Sequence, residues 1–311
     1  MRIIDLHCDT LYNALTRNIT LDDRRNEVLF EPSRADSKLQ CYAVWIPDGV
    51  DGKAAENMVV SAHKLLCSEC DRLGIKLIKH GERIRTAFTK NKNSALFTIE
   101  NGSALNGRLD NVERFAGLGV KMMTLTWNAR NQIGGGAEAQ GCGITPFGEA
   151  VLSKMEEHGI IVDVSHACER LFYDVAERTK LPFAASHSNA FSVTRHKRNL
   201  TDDQIKTIIE RKGLIGLNFH NAFLNNDPDN ACTADILRHT EHFLSLGADD
   251  CLCFGSDFDG GCLPFDIADS RVYENICEMY LKHGYSEALI KRIFYENALN
   301  FLEYFDNRQI M

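Results

Sequence analysis

A small set of imidazole and carboxylate side chains stands directly after short apolar runs in this chain: His7 and Asp9, Glu100, His166, His187 and Asp257. Imidazole mixed with carboxylate is a ligand set for zinc, and manganese, iron and cobalt are compatible with it. Three His, one Asp and one Glu exceed one tetrahedral ion. They suit two metals if one carboxylate bridges, and Glu100 is the natural bridge. Paired metals of that kind activate a water and polarise a carbonyl. Asp257 is then left as the general acid/base beside the nucleophile. In the run His7-Cys8-Asp9 an extended chain points His7 and Asp9 the same way and Cys8 the other. Taken alone, that triplet reads as a strand-end His followed by a helix-capping Asp; only the combination gives it weight.

These residues need elements that bring them together. Candidate strands are Arg2–Leu6, Gln40–Ile46, Ala95–Ile99, Val120–Thr126, Ile160–Val164, Phe183–Ser186, Leu214–Asn218 and Cys251–Gly255, each largely apolar. Amphipathic helical stretches fall between them, among them Ala54–Leu73, Phe147–His158, Cys168–Arg178, Asp202–Glu210 and Ala234–Leu246. Alternation of this kind means parallel strands joined by right-handed crossovers, and about eight such units predict a (β/α)₈ TIM-like barrel. A doubly wound open sheet shares the alternation, but the glycine fingerprint of a dinucleotide site is missing after the first strand. In a barrel, the carboxyl ends of all strands share one rim, where His7, Asp9, Glu100, His166, His187 and Asp257 would converge. No Pro-, Gly- or Ser-rich linker interrupts the pattern. Residues 1–311 are therefore expected to form one barrel domain with C-terminal helices, the last carrying Phe294, Tyr295, Phe301, Tyr304 and Phe305.

The formal net charge of −8 argues against a nucleic-acid surface. The 11 cysteines are odd in number and irregular in spacing, which speaks for a reducing compartment. The N-terminus turns polar too soon for a signal peptide, and no apolar run approaches the ~20 residues of a membrane span. A cytoplasmic protein without a membrane partner is the expectation. Several residues are set aside at this level. Cys67 and Cys70 read as helix surface and core, and Asp259 as a turn or supporting carboxylate. His220 follows the seventh strand and could reach the rim in a supporting role, but reads more often as non-functional. Asp163 is expected against the barrel wall or a helix. Gly134-Gly135-Gly136 reads as a surface turn or a mobile pocket edge.

The motifs resemble those of the membrane (renal) dipeptidase family. They are Asp5-Leu6-His7-Cys8-Asp9-Thr10, Ile99-Glu100-Asn101-Gly102, Asp163-Val164-Ser165-His166, Ser186-His187-Ser188-Asn189-Ala190, Arg198-Asn199-Leu200-Thr201-Asp202-Asp203 and Gly255-Ser256-Asp257-Phe258-Asp259-Gly260. The match in order and spacing runs from Ile3 to about Gly260. The resemblance implies a metal-dependent hydrolase barrel that cleaves small dipeptides, L,L and also L,D. It implies two Zn²⁺ per chain, one on His7, Asp9 and Glu100, the other on Glu100, His166 and His187. Asp257 would carry the proton to the leaving amine. Arg198 would bind the terminal carboxylate, for which a guanidinium fork is well shaped; without the family it reads as part of a solvated basic run. Dimers are common in the family, so a homodimer is among its implications.

One departure stands out. Where studied members carry Leu-Thr-His, this chain has Leu125-Thr126-Trp127-Asn128. Indole has one N–H donor and cannot become a cation. Either Trp127 or Asn128 donates to the developing oxyanion, or that role is weakened. Rival readings are another barrel hydrolase (deacetylase, lactonase or amidase) and a non-catalytic metal-binding relative. Glu100 as bridge favours the dipeptidase branch, since many relatives on this superfold bridge with a modified lysine.

Overall fold

The computed structural model describes residues 1–29, 37–79 and 81–306. Its strands are β1 (Arg2–Cys8), β2 (Ser37–Trp45), β3 (Lys76–Leu77), β4 (Asn93–Glu100), β5 (Val120–Thr124), β6 (Ile161–Asp163), β7 (Ala184–Ala185), β8 (Leu214–Leu217) and β9 (Leu252–Phe254). All pair in parallel. β1 pairs with β9 and β2 with β4, which closes a ring of eight, while β3 is attached only to the start of β4. The fold is a (β/α)₈ barrel, as the alternation of patterns predicts.

Burial follows the pleat. Ile4 and Leu6, Leu39 and Cys41, Leu96, Met122, Ile161, Ala184, Leu214 and Cys253 form one apolar cluster to which every strand of the ring contributes. That composition places the cluster inside the barrel. Ala298, Leu299, Leu302 and Phe305 join it from helix Asn297–Asp306, which plugs the end where the strands begin. Lys121 and Asp306, both buried, lock that plug with an ion pair of 2.9 Å. Alternate residues such as Tyr42, Val44, Phe97, Ile99 and Val162 face the outer layer of helices.

The helices lie close to their expected ranges: Gly52–Leu73, Pro146–Glu157, Glu169–Arg178, Asp202–Glu210 and Thr233–Ser245. Local signals fix their starts. Pro146 opens one helix at its first turn behind the cap Thr145. Thr201 and Gln204 form a reciprocal capping box, which sets where the chain leaves the rim after Arg198. The later strands are shorter than their apolar runs, because Ser186, Asn218 and Gly255 have already left the ladder to build the rim. The triple glycine is neither a surface turn nor a mobile edge. Gly134, Gly135 and Gly136 are buried. A Cβ on Gly136 would collide with the backbone oxygen of Trp127, and one on Gly135 with Cys142.

Candidate active site

The rim begins with an irregularity in β1. Asp5 pairs with Gln40 and Cys8 with Tyr42, so three steps on β1 oppose two on β2. Leu6 faces the barrel interior, and strict alternation would turn His7 outward. The extra residue rotates His7 back onto the rim, a common use of a bulge beside a site. Asp9 follows at the start of helix Thr10–Arg17, and its side chain makes no capping hydrogen bond. Its carboxylate instead lies 3.4 Å from His7 Nε2.

Glu100, the last residue of β4, sits between two groups. Its Oε2 is 3.5 Å from His7 Nε2. Its Oε1 is 2.8 Å from His166 Nε2 and 3.7 Å from His187 Nε2. His166 and His187 meet Nε2 to Nε2 at 3.1 Å. Asp257 Oδ1 lies 3.7 Å from His7 Nε2, while its Oδ2 accepts from Asn218 Nδ2 at 2.9 Å. Asp257 itself holds φ 65°, a left-handed conformation rare outside glycine. Gly260 approaches so closely that a Cβ there would strike Asp9 Oδ2 and Asp257 Oδ1.

This cluster has an excess of acceptors. His7 Nε2 and Asp9 Oδ1 are buried without a hydrogen-bond partner, a costly state unless something else satisfies them. Burial, together with Arg198, lowers the His166 pKa; burial, His7 and Arg198 push His187 well below its ordinary value. Both rings are neutral, with lone pairs to offer. Burial and the neighbouring Glu100 raise Asp9 to about 7. For His7, burial alone would lower the pKa, but the adjoining carboxylates of Asp9 and Glu100 raise it well above its ordinary value. The Glu100 carboxyl is held well below the usual range: burial opposes this, and His166 and His7 outweigh it. The site calls for positive charge at the His7 ring nitrogen, where a metal ion competes with a proton. The donor set therefore fits a metal. Among the described residues, ligand atoms within 4.8 Å of one another form the sets His7, Glu100, His187 and His7, Asp9, Asp257. These share His7, whereas the expected partition shares Glu100, whose two oxygens face different partners.

Around the cluster lies a cavity of about 570 Å³. It is lined by Asp9, Glu100, Trp127, Asn128, His166, Arg198 and Asp257, with Tyr12, Trp45, His196, His220 and Phe223 among its other walls. Arg198 is 5% exposed, and its Nε and Nη1 have no partner. Only Nη2 donates, to the His187 carbonyl at 3.3 Å, and the guanidinium carbon lies 5.4 Å from the Phe223 ring centroid. A solvated basic run does not look like this. Trp127 packs against Trp45 with centroids 4.9 Å apart. Asn128 Oδ1 meets His166 Nδ1 at 3.0 Å, so its amide is engaged with a ring of the cluster.

Three residues set aside in the sequence stand around this site, and Asp259 is the supporting carboxylate expected of it. His220 lines the cavity, and its place after β8 was the available signal. Asp259 accepts from Thr10 Oγ1 at 2.5 Å and from the Glu27 amide at 3.0 Å, tying the last rim loop to the first. Asp163 faces neither wall nor helix but supports the cluster from below through Ser165 and Ser186. Nothing in a single strand's pattern reveals such cross-strand partners.

The family model described as membrane dipeptidase (peptidase family M19) matches residues 1–309. An uncharacterized protein in the pqqA 5′ region of Klebsiella pneumoniae is 30% identical over 216 residues, 66% of this chain and 79% of that protein. The solved structure of dipeptidase AC, a metallopeptidase of family M19, superposes with TM-score 0.90 at 26% identity, covering 97% of this chain and 98% of its own. A metallopeptidase from Rhodobacter sphaeroides, liganded with a phosphinate mimic of the dipeptide L-Ala-D-Ala, has TM-score 0.90 at 24% identity over 97% of this chain and 99% of its own.

Proposed function

The chain belongs to the membrane dipeptidase family, whose members are metal-dependent dipeptidases, and from that premise we propose a dinuclear zinc centre bridged by Glu100 that hydrolyses small L,L- and L,D-dipeptides. The observation that carries this reading is the division of Glu100, with Oε2 toward His7 and Oε1 toward His166 and His187. One zinc would be held by His7, Asp9 and Glu100, the other by Glu100, His166 and His187. Bound there, the metals would supply Lewis acidity, polarising the scissile carbonyl and lowering the pKa of a water.

The chain's own residues do the rest. Arg198 takes the substrate's terminal carboxylate with the donors that have no protein partner. Asp257 has one oxygen pinned by Asn218 and the other turned to the cluster. That free Oδ1 accepts the proton of the attacking water and returns it to the leaving amine nitrogen. Asn128 steadies the His166 ring through its Oδ1, and Trp127 forms the apolar wall beside it. L,D substrates enter the proposal through the L-Ala-D-Ala mimic held by the Rhodobacter relative. The catalytic unit is taken as one barrel domain over residues 1–311 in the cytoplasm, with a homodimer as an assembly the family resemblance allows. All 11 cysteines are free, which supports a reducing compartment. Among the described residues no helix is long and apolar enough to cross a membrane.

The test is release of free amine from a panel of L,L- and L,D-dipeptides by zinc-loaded protein, beside a chelated sample. Chelator-sensitive cleavage is expected. Binding of zinc without cleavage of any dipeptide would move the function to another amide or to a non-catalytic role.

A further inference from the structure

Asp163 takes no part in the chemistry above, yet its buried carboxylate is saturated with donors. Oδ1 accepts from Ser165 N at 3.1 Å, Ser165 Oγ at 2.7 Å and Ser186 N at 2.9 Å. Oδ2 accepts from Thr124 Oγ1 at 2.6 Å and Ser186 Oγ at 2.5 Å. On its other side Ser186 Oγ lies 2.7 Å from His187 Nδ1. A serine hydroxyl has one proton. A carboxylate without its own proton takes it, so toward His187 the Ser186 oxygen is only an acceptor. His187 Nδ1, facing that acceptor, must then carry a proton, which in a neutral imidazole is the ring's only one. Its Nε2 is left as a bare lone pair, 3.1 Å from His166 Nε2 and 3.7 Å from Glu100 Oε1.

We infer that Asp163 is a positioning residue: through Ser186 it fixes His187 as the Nδ1–H tautomer and aims the Nε2 lone pair at the metal cluster. The clip occurs a second time in the barrel. Asp5 accepts from Ser256 N at 2.9 Å and Ser256 Oγ at 2.6 Å, one residue before Asp257. There the serine oxygen meets backbone groups, His7 O and Phe258 N. Both clips pin a rim residue to the neighbouring strand; only the Asp163 clip also sets a ring proton. Orientation of a ligating histidine through its second nitrogen typically changes metal affinity by about 10- to 100-fold.

The tautomer stands on hydrogen bonding alone; the consequence for metal rests on the proposed centre, and the experiment separates them. In metal-free protein at pH 8, ¹⁵N NMR of the histidines should show His187 protonated on Nδ1. In Asp163→Asn the serine proton is free to turn, and His187 should shift toward the Nε2–H form. Zinc affinity, measured by competition with a chelator, should fall about 10- to 100-fold in Asp163→Asn and in Ser186→Ala. The d–d spectrum of the cobalt-loaded variants should change with it. Thr124→Val removes another donor to Asp163 without touching a histidine; it should lower thermal stability and leave zinc affinity and the cobalt spectrum as in wild type. If His187 carries its proton on Nε2 in the wild type, the inference fails whatever the metal does. Equal losses of affinity in Thr124→Val and Ser186→Ala would also overturn it, reducing Asp163 to a structural part. A wild type with the expected tautomer but no zinc would instead sink the proposed centre and the metal half of the inference with it.

Discussion

Replacing Arg198 by methionine should stabilise the substrate-free protein while weakening its hold on a free carboxylate. The guanidinium is 5% exposed, and two of its nitrogens have no partner. Burial holds its pKa down to about 10, well below the ordinary guanidinium value, with Asp257 and Glu100 compensating only in part. At about 1.4 kcal/mol per pH unit, that drop is about 3 kcal/mol of cost borne by the folded state. Methionine fills similar volume and removes the charge, but forfeits the bond to the His187 carbonyl and the contact with Phe223, together about 1–2 kcal/mol. The net expectation is a gain of about 1–2 kcal/mol, read by urea denaturation of metal-free protein. Substrate recognition moves the other way. A charge-assisted hydrogen bond contributes about 1.5–3 kcal/mol, so the preference of kcat/KM for a dipeptide over its C-terminal amide should fall about 10- to 100-fold. A variant that is less stable than wild type and keeps the carboxylate preference would refute the reasoning, since Arg198 would then be a structural residue.

Other expectations follow from the same geometry. Asp257→Asn keeps the Asn218 contact and the shape of the rim, so metal content and melting temperature should hold while turnover drops by at least about 10²-fold; retained turnover would remove Asp257 from the proton path. Glu100→Gln should lower bound zinc below two per chain by elemental analysis, because both proposed ions share that carboxylate. His239 is buried, accepting from Ala190 N and pairing with Leu224 O, and burial lowers its pKa from 6.5 to about 4. The unfolded chain therefore binds the extra proton first. Stability from this group is complete above pH 6.5 and declines by about 3 kcal/mol as pH falls to 4. The slope of unfolding free energy over that window should flatten in His239→Gln.

Most of the barrel was legible because its strands are apolar and its helices are amphipathic, and these periods survive in one dimension. All eight expected strands appear, with displacements at both ends; at the carboxyl ends of the later strands Ser186, Asn218 and Gly255 turn from ladder to rim. The convergence of His7, Asp9, Glu100, His166, His187 and Asp257 was legible for the same reason, since each follows a strand. What was not legible depends on partners across strands. His7 reaches the rim through a bulge that needs the β2 register to be seen. Arg198 sits in a basic run, and only the fold shows it buried. Asp163 and Ser186 lie on different strands, so their clip has no sequence period. The glycine triplet looks like a turn in sequence, yet it is packed against the Trp127 and Cys142 backbones.

The central claim is that Glu100 divides two metal ions, and anomalous diffraction at the zinc edge from zinc-grown crystals tests it most directly. Two peaks are expected, one beside His7, Asp9 and Glu100 Oε2, the other beside His166, His187 and Glu100 Oε1. A single peak, or two that leave Glu100 on one side, would contradict the account.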